Sequence, residues 1–147
     1  MKKSIWIIII VVIISLLIIL EFYSKINVNN RKIEERLRDV TAYRLGQVKD
    51  LFDIDYDKVY NITTVKTKQE IERYIKIKNM HIVDNKKNET SIIFIKNDKI
   101  VAYLHGSKED KKYYVSMKEG EFSKNDIENK NFSSNYIKNY MHYSIDD

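Results

Sequence analysis

The chain has no cysteine and no proline, three glycines and one tryptophan among 147 residues. Without cysteine there is no disulfide framework, thiolate zinc site, cysteine nucleophile or lipid-modified lipoprotein cysteine. That absence fixes no compartment, since a cysteine-free domain is at home on either side of a membrane. So few glycines also argue against a phosphate-cradling loop, which needs several positions free of Cβ. Charge of one sign is missing as a block. The net charge is +5, yet acids and bases alternate through 31–39 and 108–112. Mixed signs make a solvated face rather than a stripe that tracks phosphates, so no nucleic-acid partner is expected. A weak attraction to anionic lipid headgroups fits better.

What is present begins with an apolar run. From Ile5 to Leu20 every residue is apolar except Ser15. With Ser4 and Glu21-Phe22-Tyr23 at its ends, the segment reaches roughly 24–29 Å as a helix, close to the hydrocarbon thickness of a bilayer. Trp6 and Tyr23 stand near opposite ends, where amphipathic rings favour the headgroups. Lys2-Lys3 before the run also suits a cleaved signal peptide. Cleavage wants small residues just beyond, and the chain offers Glu21-Phe22-Tyr23-Ser24-Lys25. The reading is therefore a signal-anchor over residues 1–23, single-pass, with the lipid bilayer as partner through residues 4–23. Lys2 and Lys3 favour an inside N-terminus, whereas Lys25, Arg31, Lys32, Arg36 and Arg38 pull the other way. A long translocated domain escapes that rule, so an outward-facing C-terminal domain in the cell membrane is expected.

Residues 24–30 read as a flexible tether. Asn29 or Asn30 can cap a helix, and Ile33, Leu37, Val40, Val48 and Leu51 recur at helical spacing. This predicts an amphipathic stalk over 31–52, weakened at Gly46, able to pack on its own domain, to form a homodimer or to lie on the membrane. The remaining residues 53–147 suit one small α+β domain. A period of two predicts a strand near 56–65. Thr67-Lys68-Gln69-Glu70 is a capping box opening a helix over about 68–78. The β-rich runs 90–96 and 99–104 flank Asn97-Asp98, a tight hairpin turn. A further strand is expected at 113–117 with a turn at 119–121, and Ser134 could cap a tail helix carrying Tyr136, Ile137, Tyr140 and Met141. The fold class is α+β: transmembrane helix, stalk helix, then a mainly antiparallel sheet with a short helix on one face.

Candidate chemistry is sparse. His81, His105 and His142 lie in different predicted elements and lack the spacing of a helical zinc pair. His105-Gly106-Ser107 could present a base and a nucleophile at a strand end, but no glycine elbow surrounds Ser107. Asp53, Asp55 and Asp57 invite a calcium loop, which would need glycine at 58 and glutamate at 64. The chain has Lys58 and Thr64, so an acidic outer face is the better account. Tyr113, Tyr114, Tyr136, Tyr140 and Tyr143 gather near the C-terminus, suiting either a recognition surface or a small core. Asn61-Ile62-Thr63, Asn88-Glu89-Thr90 and Asn131-Phe132-Ser133 match glycosylation acceptors, as chance allows in an Asn-rich chain. No catalytic, cofactor-binding or metal-binding residue is assigned.

Val59-Tyr60, Thr67-Lys68-Gln69-Glu70-Ile71 and the stretch from Ile92 to Tyr103 together resemble a pattern in small membrane-anchored or lipoprotein-like proteins of low-GC Gram-positive bacteria. In that group an Asp-x-Val-Tyr strand precedes a short Glu-Ile helix and an apolar hairpin. The resemblance covers residues 53–104. Relatives often carry Trp-Asp and Pro-Tyr where this chain has Tyr56-Asp57 and Thr64-Val65. Abundant Lys, Asn and Ile agree with AT-rich coding. The resemblance implies an anchor and an envelope location and supplies no active site.

The expectation is a non-enzymatic, membrane-tethered envelope interaction protein, its partner an envelope protein or wall polymer. A membrane-bound immunity or stress-protection protein is one alternative. A ligand sensor or degenerate enzyme with a groove near the tyrosine-rich tail is another.

Overall fold

The computed structural model describes residues 2–39, 45–79 and 81–146, with side chains at 2–5 and 21–24 excepted. Its first element is one unbroken helix, α1 (Lys2–Arg38). Residues 6–20 are exposed along it. The Ser15 hydroxyl donates to the Val11 carbonyl at 2.8 Å, so the polar side chain in the apolar run is satisfied within the helix. Among the described residues, this is the helix long and apolar enough to cross a membrane.

The flexible tether expected at 24–30 is instead helical. Neither glycine nor proline interrupts the segment, and its residues find partners on the domain. Ile26, Ile33 and Leu37 are buried there. The predicted stalk helix over 31–52 also ends early, at Arg38. Val40 lies outside the described residues, and the chain resumes as a strand, β1 (Leu45–Gln47), and one helical turn, α2 (Val48–Leu51). Gly46 belongs to that strand, where an added Cβ would come within 2.8 Å of the Phe132 ring.

From there the chain builds two four-stranded sheets. The first contains β2 (Lys58–Ile62), β3 (Glu89–Lys96), β4 (Lys99–Ser107) and β6 (Gly120–Ser123), in the antiparallel order β4-β3-β2-β6. The second contains β1, β5 (Tyr113–Ser116), β7 (Asn131–Ile137) and β8 (Tyr140–Ile145), in the order β1-β7-β8-β5. Among the described residues, only β5 and β8 pair in parallel. Short helices α3 (Lys68–Ile75), α4 (Lys108–Lys111) and α5 (Lys124–Glu128) complete the α+β fold.

Alternation along the strands explains the layering. Val59, Ile92, Phe94, Ala102 and Leu104 face the second sheet and meet Val115, Phe132, Met141 and Tyr143, with Ile33 and Leu37 of α1 in the same core. Tyr60, Ile62, Ile93 and Ile95 face the other way, onto Ile71 and Ile75 of α3 and Ile26 of α1. A sheet covered on both faces accounts for the continuous apolar run Ile92-Ile93-Phe94-Ile95.

The tail differs from its predicted helix. Ser134, Tyr136, Ile137, Tyr140 and Met141 form the β7–β8 hairpin, turned at Lys138 with φ 55°. Phe132, Met141, Tyr143 and Ile145 are buried on one face. Tyrosine and isoleucine suit a pleated surface, and over this short stretch a period of two competes with the helical spacing.

Helix α1 also closes the outer edge of β4. Asn29 Nδ2 donates to the Val101 carbonyl at 2.8 Å, and Asn30 Oδ1 accepts from the Tyr103 amide at 2.8 Å. The two asparagines act inside the helix as a substitute strand, rather than at a helix start.

Candidate functional site

The β3–β4 hairpin sets the geometry of a serine–histidine meeting. Its turn residues Asn97 and Asp98 take φ of 49° and 57°, and a bulge between Phe94 and Ile95 shifts the register so that Ser91 faces His105. Ser91 Oγ lies 2.9 Å from His105 Nδ1, and His105 Nε2 lies 3.5 Å from Glu89. Burial holds the His105 imidazole below its ordinary value, with Glu89 pulling the other way. The three side chains have the composition of a nucleophile, a base and an orienting acid. Access decides against that chemistry. Ser91 is 0% exposed, and its hydroxyl also donates to Asn85 Oδ1 at 3.1 Å. A buried hydroxyl shared among strand neighbours cannot meet a carbonyl substrate without the sheet opening. Ser107, weighed as a nucleophile in the sequence but not assigned as one, accepts from the Asp110 amide at 3.3 Å and so caps α4.

The aspartates at 53, 55 and 57 are clamps. Asp53 pairs with Lys32 at 3.1 Å and Arg36 at 2.8 Å, holding the loop to α1. Asp55 pairs with Lys96, and Asp57 accepts from the Asn97 amide at 2.8 Å, holding the same loop to the hairpin tip. Across the molecule, no group of three or more His, Asp or Glu suited to a metal forms among the described residues. His81 lies beside α1, His105 stands in the β3–β4 hairpin, and His142 tilts against Tyr114 across β5 and β8. Asn61 is fully buried in β2, donating to the Met117 carbonyl at 2.7 Å, so that glycosylation acceptor is a core residue. Glu119, predicted to lie in a turn, receives the amides of Thr63 and Thr64 at 3.0 and 2.9 Å, and Lys66 at 3.0 Å. Burial alone would raise its pKa, but these donors outweigh it and bring the carboxyl to about 2.

Sequence reasoning missed Lys111. It is 8% exposed, its stem packs on Gly106, and its ammonium donates to the Tyr113 hydroxyl at 3.2 Å. That hydroxyl donates in turn to Glu34 of α1 at 3.2 Å. Burial pushes the Lys111 ammonium down to about 8, against the pull of Glu34 and with a push from Arg38. The unfolded chain keeps this proton up to its ordinary value, whereas the folded chain releases it near 8. Between those limits the unfolded state binds more protons, so stability rises with pH. We expect a gain of roughly 2–3 kcal/mol between about pH 7.5 and 10, absent in Lys111→Met, in denaturant titrations at each pH. Equal slopes in the two proteins would contradict the burial of this ammonium.

The tyrosines divide by role. Tyr113 and Tyr143 are core residues, and burial raises both hydroxyl pKa values. Tyr136 is exposed, and Lys108 lies over the Tyr140 ring at 5.3 Å. Tyr114 belongs to the outer face of the second sheet. There the register aligns Tyr114, His142 and Asn135 in one row and Ser116, Ser144 and Ser133 in the next. None of the six is Lys, Arg, Asp or Glu, in a chain that is 32% charged. Exposed Leu45 extends the serine row on β1. Comparison of the chain with protein-family models, curated proteins and solved structures finds no match in any of the three.

Proposed function

We propose that this chain is a single-pass membrane protein whose helix α1 holds a non-enzymatic interaction domain at the bilayer surface. One observation carries the reading. The same uninterrupted helix is apolar and exposed over 6–20 and built into the domain core at Ile26, Ile33 and Leu37. Apolar surface of that extent needs lipid around it, and the domain needs the other half. Helical packing beyond residue 24 also disfavours signal cleavage, which requires an extended, accessible segment.

The uncharged tyrosine, histidine, asparagine and serine rows supply the binding face. Such a surface offers hydrogen-bonding groups and an aromatic plane without strongly hydrated ions, which suits a neutral polar partner such as a wall polymer or an envelope protein. The second sheet packs near the Arg38 end of α1, where the Tyr143 hydroxyl donates to the Arg36 carbonyl at 3.3 Å. That end lies about 20 Å along the helix from Lys25, so this sheet belongs to the part of the domain farther from the bilayer. Buried Ser91 supports the non-enzymatic assignment.

The test is alkaline carbonate extraction of cell membranes, followed by the intact mass of the recovered chain. The protein should stay in the pellet with its apolar segment present. A soluble product beginning beyond residue 20 would remove the anchor from the proposal. A photoreactive side chain at Ser144 should then give a discrete adduct in intact cells that one at Lys87 does not. Equal labelling from both would remove the binding face.

A further inference from the structure

A cleft of about 490 Å³ lies between α1 and the tip of the β3–β4 hairpin. Lys25 of α1 lines it on one side, Lys96 and Lys99 of the hairpin on the other, and Ile18 and Ile100 supply apolar walls. Ile18 is 60% exposed and lies within the apolar run, whereas Ile100 belongs to the domain core. The cleft thus bridges two environments. Along the helix Ile18 stands about 10 Å below Lys25, so the hairpin tip hangs beside the level where an apolar span gives way to water.

We propose that this cleft seats one anionic phospholipid of the surrounding bilayer, its phosphate among Lys25, Lys96 and Lys99 and its acyl chains along α1 at Ile18. The inference rests on the membrane reading above and adds a ligand to it. Charge complementarity favours this occupant. Three lysines line the cleft against one carboxylate, Asp55, which Lys96 already engages. Asp57 is likewise committed, to the Asn97 amide. Three ammonium groups beside an exposed isoleucine match an amphiphile with an anionic head, whereas a free phosphate would use only the polar half. The clamps at Asp55 and Asp57 fix the hairpin tip, so the site is formed before the lipid arrives.

The experiment is native mass spectrometry of the full chain in detergent, titrated with phosphatidylglycerol or phosphatidylcholine. Wild type should bind one phosphatidylglycerol in preference to phosphatidylcholine. The double variant Lys25→Gln, Lys99→Gln should weaken that first binding about 30-fold, as two headgroup-contacting lysines predict. Lys96 is kept so that Asp55 is not orphaned. An equal charge change at exposed sites elsewhere, Lys87→Gln with Lys138→Gln, should leave binding within about twofold of wild type. Equal affinity for the two lipids, or a preference that survives in the Lys25, Lys99 variant, would overturn the proposal. Displacement of the lipid by millimolar inorganic phosphate would overturn it in favour of a free-anion site. The same spectra report the mass of the chain. An intact chain without lipid selectivity removes only this inference, whereas a processed chain lacking its apolar run removes the membrane reading.

Discussion

A chain beginning at residue 24 is expected to fold as the full chain does, and one beginning at residue 45 is expected not to. The difference is the second half of α1. Ile26, Ile33 and Leu37 are 5%, 0% and 0% exposed and reach both hydrophobic cores. Burying three aliphatic side chains contributes roughly 5–9 kcal/mol, as much as the whole stability of many domains. Removing the helix also strips the β4 edge of Asn29 and Asn30 and leaves Asp53 without Lys32 and Arg36. Near-ultraviolet circular dichroism and amide exchange distinguish the outcomes. Slow exchange in β3 and β4 of the 45–147 fragment would show that the domain needs no helix, and that α1 is only a leash.

Phe94→Ala should be the most damaging single truncation, costing about 3–5 kcal/mol. Phe94 is fully buried at the centre of the first sheet and makes edge contacts with Phe52 at 5.0 Å and Tyr56 at 5.2 Å. Removing its ring leaves a cavity between the sheets and breaks both aromatic pairs, each worth about 0.5–1.5 kcal/mol beyond area. Phe94→Leu keeps most of the volume and should lose about half as much. Urea unfolding of the 24–147 chain provides the measurement. A cost below about 1 kcal/mol for Phe94→Ala would mean that the two sheets do not meet there.

These effects come from long-range packing, and that is also where the sequence was least legible. Local chemistry could be read directly. The Thr67–Glu70 capping box is present in full, with the Thr67 amide donating to Glu70 at 2.7 Å. The Asn97-Asp98 turn adopts the left-handed geometry its residue types permit. The apolar run of α1 is long enough to be recognised by composition alone. By contrast, the second sheet pairs β1 with β7 and β5 with β8, across separations that no local pattern encodes. The tail was ambiguous because a short run of tyrosine and isoleucine satisfies both periods until a partner strand selects one. Residues 24–30 read as a tether because their polar side chains look like a linker until Asn29 and Asn30 are seen bonded to β4.

The candidate sites follow the same division. Glu89, Ser91 and His105 could have been paired by counting outward from the turn, but the bulge beside Phe94 changes that count by one. Unbulged, His105 would face Thr90 instead of Ser91. Lys111 gave no signal at all, because only the approach of Glu34 and Tyr113 distinguishes it from the exposed lysines. Asp53, Asp55 and Asp57 were legible as a group and as a poor calcium loop. Their division between α1 and the hairpin tip required the tertiary structure.

The absence of a break between the apolar run and the domain has a mechanical meaning. A flexible linker would let the domain drift independently of the apolar run, whereas an unbroken helix makes the two a single lever. A membrane-spanning helix adjusts its tilt to the thickness of the surrounding bilayer. From Leu20 to Arg38 the helix extends about 27 Å, so a 10° change in tilt carries its far end sideways by about 5 Å. Under the proposed membrane anchoring, the orientation of the domain would therefore follow the thickness of the bilayer around the apolar run.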